Sequence, residues 1–176
     1  MVKGKVEINR APVLTLWAAV VAERLGYDHE AALTLGKAVA GLNAQSKGRR
    51  LGIFDEPEAQ LDERRLKARK ATAGFVVPVL GRQVPVVRTA YGVRATIKGG
   101  AIDPRSVRRY LEQKFGQNLE EVQAALKALA NAYQPEKLAP LAYSLYEKFR
   151  PGVPEGQKGW GAKGELDLNY IRSLAK

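Results

Sequence analysis

The chain has no cysteine, one histidine and one methionine among its 176 residues. Without cysteine there is no disulfide, no thiolate nucleophile and no thiolate metal site. The same absence fits a reducing compartment, and a cytoplasmic location is the expectation. The lone histidine, His29, stands between Asp28 and Glu30 at the expected start of a helix, where a surface role suits it better than that of a general base. Nothing supplies a second imidazole or a thiolate at metal-ligand spacing, so neither a metal nor another cofactor is expected. Ser46 and Ser106 have cations nearby but no recognisable base to activate them. No catalytic residue is assigned.

Long hydrophobic runs are missing too. The most apolar stretch, Ala11 to Ala22, is twelve residues and contains Thr15 and Trp17, short of the ~20 needed to span a bilayer. Lys3 and Lys5 precede it in the manner of a signal peptide, yet Glu7 and Arg10 crowd its front and it runs on into Glu23 and Arg24. It reads as a core helix, with no membrane contact expected.

The most telling scarcity is of acid. Thr72 to Ile102 is thirty-one residues without Asp or Glu, while it carries Arg82, Arg88, Arg94 and Lys98. The segment DPRSVRRYLEQKFG follows and adds Arg105, Arg108 and Arg109. The five cations from Arg94 to Arg109 are countered only by Asp103. With a net charge of +11 and a pI near 9.9, this is the electrostatic footprint of a protein that meets a polyanion.

The organisation reads as mainly α, within the α+β class. A helix over Arg10 to Leu25 has Asn9 as its cap and ends at Gly26. A second helix starts at Asp28, and its body AALTLGKAVAGLNA is apolar or small almost all round. Ala32, Gly36 and Ala40 make a smooth ridge, and a glycine inside a helix costs roughly 1 kcal/mol relative to alanine. A close neighbour is implied, within the chain by preference and otherwise across a homodimer seam. QSKGRRLG (Gln45 to Gly52) reads as a basic turn. Asp55 and Glu58 form a capping box for an exposed connector helix. The valine-rich runs GFVVPVLG and RQVPVVRT, turning at Gly81–Arg82, and then GVRATIKG read as strands. Pro78 and Pro85 push the first two toward sheet edges, and Arg94, Thr96 and Lys98 alternate onto one face of the third. Asp103 caps the next helix with Pro104 at its first position and Gly116 at its end. Its buried stripe is Val107, Tyr110, Leu111 and Phe115. Asn118 with Glu121 suggests another capping box, for a helix burying Val122, Ala125, Leu126, Leu129 and Tyr133. A further helix, starting properly at Pro140, buries Leu141, Leu145 and Phe149. A long loop over Pro151 to Gly164 and a short helix burying Leu168, Ile171 and Leu174 complete the chain.

The expected architecture is a helical domain with a small two- or three-stranded antiparallel sheet inserted between N-terminal and C-terminal helices. Residues 1–54 form the N-terminal helical pair, 55–71 the exposed connector, and 72–176 the hairpin with its C-terminal bundle, all compatible with one shared core.

Function follows the cations. Arg94, Lys98, Arg105, Arg108 and Arg109 form one candidate nucleic-acid-binding patch, because guanidinium groups and helix-start amides both bind phosphate oxygens. Lys47, Arg49 and Arg50, in the basic turn, form a second. Lys158, Trp160 and Lys163 form a third candidate contact, an aromatic between cations that can stack on a base. The formal G-x-G-x-x-G at Gly159 to Gly164 lacks the strand–loop–helix setting of a dinucleotide site. Duplex DNA is favoured over RNA because exposed aromatic platforms are scarce. The rival reading is a non-enzymatic helical interaction or dimerisation module whose basic surface meets an acidic protein.

Overall fold

The computed structural model describes residues 5–50, 75–90, 92–97, 100–151 and 163–175, with the backbone alone for 43–50, 97 and 163. The connector expected over 55–71, Lys98, and most of the 151–164 loop with Lys158 and Trp160 lie outside these residues. The chain runs β1 (Lys5–Asn9), α1 (Arg10–Arg24), α2 (His29–Arg50), β2 (Phe75–Val79), β3 (Arg82–Thr89), β4 (Gly92–Ile97) and β5 (Gly100–Ala101). It continues through α3 (Pro104–Phe115), α4 (Leu119–Asn131), α5 (Pro135–Phe149), β6 (Lys163–Asp167) and α6 (Leu168–Leu174). The protein is thus mostly helical, with one four-stranded antiparallel sheet in the order β2-β3-β4-β5 and a two-stranded sheet joining β1 to β6.

Helix α1 is buried from Pro12 through Ala22, so nothing in its middle needs water. Trp17 is wholly enclosed, stacks edge-on against Phe149 at 5.3 Å and donates its indole N–H to Ala142 O at 2.9 Å. A buried indole with its one donor satisfied is an anchor; truncating such a residue to alanine costs on the order of 3–5 kcal/mol. Helix α2 lies along α1. A Cβ built on Gly36 would press on Thr15 O, with Ala19 N only 3.0 Å away, so the glycine is there because backbone meets backbone. Between Ala31 and Ala40 only Lys37 escapes burial, which accounts for the apolar body of α2 inside the chain. The helix also runs on to Arg50, through the segment whose glycine and polar residues suggest a turn.

The sheet is wider than the two or three strands expected. β2 and β3 meet through Leu80 and Gly81, both at positive φ (50° and 75°), a two-residue turn matched to strand twist. It lies one residue earlier than the Gly81–Arg82 step. Leu80 adopts this conformation despite its side chain, and that side chain is buried. Pro78 sits on the outer strand β2; Pro85 precedes the β3–β4 ladder, which begins at Val86, so neither proline interrupts a ladder bond. Val77, Val79, Val84, Val86 and Ala95 turn inward. On α2, the Thr34 hydroxyl donates to Ala31 O (2.7 Å) and accepts from the Ala95 amide (2.9 Å). One buried threonine therefore fastens the helix pair to the sheet.

The C-terminal helices follow their caps with two corrections. Gly116–Asn118 is a short 3-10 turn and Asn118 makes no side-chain cap bond, because it is already helical in backbone. Helix α5 begins at Pro135 and contains Pro140; Pro135 fits the first position, where no N–H is needed. Leu138 and Ala142 are therefore inward, while Leu141 is exposed. β1 and β6, outside every strand expectation, pair Val6 with Leu166 and Ile8 with Gly164. A single apolar cluster takes residues from both sheets and all the helices described.

Gly36→Ala tests the close approach. The substitution improves intrinsic helix propensity by roughly 1 kcal/mol, yet it should lower the urea midpoint because Thr15 O cannot retreat. Thr34→Val should cost about 1–3 kcal/mol by leaving the Ala95 amide without an acceptor. Wild-type midpoints in both variants would contradict this packing.

Candidate nucleic-acid interface

Helix α3 is built from local signals. Asp103 accepts from the Arg105 amide at 2.9 Å, Pro104 occupies the first position, and Gly116 closes the helix at φ 57°. Val107, Leu111 and Phe115 face the core. Spacing at i, i+3 and i+4 then forces Arg105, Arg108 and Arg109 onto the opposite side. All three are exposed and together line one shallow surface recess.

Arg105 is 81% exposed and makes a 3.3 Å ion pair with Asp103. Asp103 is held below its ordinary carboxylate range, first by the Arg105 amide and then by the Arg105 guanidinium. The start of α3 thus already carries its anion, and the idea that its amides receive a phosphate is corrected accordingly. Among the described residues Arg108 and Arg109 have no carboxylate within ion-pair distance. Tyr110, half-buried beside them, has Lys37 4.4 Å from its ring and Lys114 at 6.0 Å. Burial raises the Tyr110 hydroxyl above its usual range. Lys37 comes from α2, so its place on this flank depends on helix packing that no local pattern announces.

Arg94 is elsewhere. It is only 5% exposed, bonds Glu30 at 2.9 Å and donates to Val93 O at 2.8 Å. Gly92 brings the strand within reach of Asp28, whose other oxygen caps α2 by accepting from the Ala31 amide. Alternation correctly puts Arg94 opposite Ala95, but that face is not the cationic outer surface expected: carboxylates from the start of α2 cover it. Arg94 is a structural cation and is not presented to a polyanion. Arg88, at the end of β3, lies 5.2 Å from the Phe75 ring. The side chains of Lys47, Arg49, Arg50 and Lys163 lie outside the described residues, as do Lys98, Lys158 and Trp160.

A second concavity, floored by Leu16, Val20, Leu33 and Leu111, opens beside Arg108. His29 and Glu23, 3.2 Å apart, stand at its rim with Glu112. Among the described residues no cluster of His, Asp or Glu could hold a metal ion, and no helix is long and apolar enough to cross a membrane. No protein-family model, no curated protein and no solved structure matches the chain.

The Asp103 carboxyl reports on this helix start. Because its folded value is depressed, its stabilising contribution is present above the ordinary carboxylate range and is lost as pH falls through the folded value. A carboxyl NMR titration should give a depressed midpoint that rises only partway in Arg105→Ala, since the amide bond persists. An ordinary midpoint in the wild-type chain would contradict the geometry.

Proposed function

We propose that this chain is a non-catalytic cytoplasmic protein that binds nucleic acid, double-stranded DNA in preference to RNA, through phosphate contacts made by α3. The observation that carries the reading is the gathering of Arg105, Arg108 and Arg109 around one recess, exposed and, among the described residues, with only the Asp103–Arg105 pair at ion-pair distance. Three forked cations 1.5 Å apart per residue along a helix suit adjacent phosphates. Arg94 drops out of the contact set. Lys98, Lys47, Arg49 and Arg50 stay in the proposal on charge alone, as do Lys158, Trp160 and Lys163 as a loop contact. Tyr110, which follows Arg109 in the chain, has Lys37 4.4 Å from its ring, which favours backbone contact over base stacking.

A titration of a labelled duplex at several salt concentrations tests the proposal. The slope of log K against log salt should lie near −2.7 if the three arginines act alone, and near −6 if Lys98, Lys47, Arg49 and Arg50 join them. Arg108→Ala with Arg109→Ala should make that slope shallower by about 2 and leave the fold intact. A salt-independent response, or an unchanged slope in the double variant, would remove the reading.

A further inference from the structure

The concavity beside Arg108 has an apolar floor and a charged mouth. Leu16, Ala19 and Val20 of α1, Leu33 of α2 and Leu111 of α3 make the floor, and the space measures about 170 Å³. It opens to the surface. Leu16, Ala19 and Val20 keep 2%, 3% and 4% exposure, whereas Trp17, Ala18 and Val21 on the same helix keep none. A water molecule needs about two to four polar partners, and apolar walls supply none. An apolar cavity of roughly 150 Å³ takes up benzene. The floor therefore suits a six-membered ring or a branched alkyl group, and filling it removes apolar surface from water.

The mouth carries both signs of charge. Arg108 and Glu112 stand one turn apart on α3, roughly 6 Å along its axis, and both border the space. Residues at this spacing can pair, but cation before carboxylate is the weaker order, and these two stay beyond ion-pair distance. No other described cation pairs with Glu112. Both side chains are exposed. On α1, Glu23 Oε2 lies 3.2 Å from Nδ1 of His29, which opens α2. In a chain of net charge +11, two carboxylates share this opening with a single arginine.

We propose that the recess binds a free α-amino acid with a branched aliphatic or aromatic side chain. The side chain fills the floor. Arg108 donates its paired N–H groups to the carboxylate, and Glu112 accepts from the ammonium with Glu23 beside it. A plain amine would bring its positive charge up to Arg108, and a plain carboxylic acid would face Glu23 and Glu112. A head group with both charges next to the apolar group answers the whole mouth. The proposal does not depend on nucleic-acid binding, although Arg108 borders both concavities.

Two-dimensional amide NMR of the full chain, titrated with L-leucine and with L-phenylalanine, is the test. Saturable shifts should centre on Ala19, Glu23, Leu111 and Glu112. L-Leucine should bind roughly ten to a hundred times more tightly than glycine, which has no side chain to bury. Arg108→Gln and Glu112→Gln change exposed residues and should leave the fold intact, yet each should weaken leucine about tenfold. 3-Methylbutylamine, which lacks the carboxylate, should bind more weakly than leucine and be indifferent to Arg108→Gln. 4-Methylpentanoate, which lacks the ammonium, should be indifferent to Glu112→Gln. Arg109 borders the α3 recess and not this one, so Arg109→Ala should bind leucine as the wild type does even where it weakens duplex binding. The two readings can therefore fail separately. No saturable shift with either amino acid at about 10 mM overturns the proposal. So does glycine or 3-methylbutylamine binding as tightly as leucine, or undiminished leucine binding in both glutamine variants.

Discussion

The fold depends on two helix backbones touching. Gly36 on α2 faces Thr15 O and Ala19 on α1 with no room for a side chain between them. That approach lets α1 over Pro12–Ala22 and α2 over Ala31–Ala40 bury nearly every side. The sheet is tied to one edge of the pair by Thr34 and by the Arg94–Glu30 bridge. Arg24 at the end of α1 reaches Tyr133 O, two residues past the end of α4. Trp17 holds α5 against the opposite flank. Helix α3 packs its apolar stripe against the same core, and its arginines point outward because that stripe points inward.

Charge placement separates the cations by role. The acid-poor hairpin looks like the most positive part of the chain, yet the one arginine of β4 is tucked against the start of α2. The arginines of α3 keep their exposure because the helix has only Glu112 as a carboxylate of its own and only Asp103 at its cap. A buried guanidinium tied to a carboxylate specifies how elements dock, whereas an exposed one without a close partner attracts anions.

What could be read from the sequence was local. The Asp103–Pro104–Gly116 punctuation defines α3 without reference to the rest of the chain, and its stripe follows from helical spacing. Gly36 announced a close neighbour, and α1 supplies it. The mainly helical α+β class followed from the same signals. What could not be read depends on distant partners. Glu30 lies 64 residues from Arg94, so alternation gave the correct face and the wrong environment. β1 and β6 are five residues each and lie near opposite ends of the described chain; each is too short and too mixed to signal a strand unless its partner is known. Lys37 and Tyr110 meet only after α2 and α3 dock. Two prolines five residues apart in α5 misplaced its start, since either suits a first turn.

Hydrogen exchange under native conditions tests the dependence on the α1–α2 seam most directly. The amides of Val13–Ala22 and Ala32–Ala40 should exchange last, through global unfolding, more slowly than those of β2–β4. If the sheet amides were the slowest and the α1–α2 amides opened independently at lower free energy, the seam would not be what holds the molecule together.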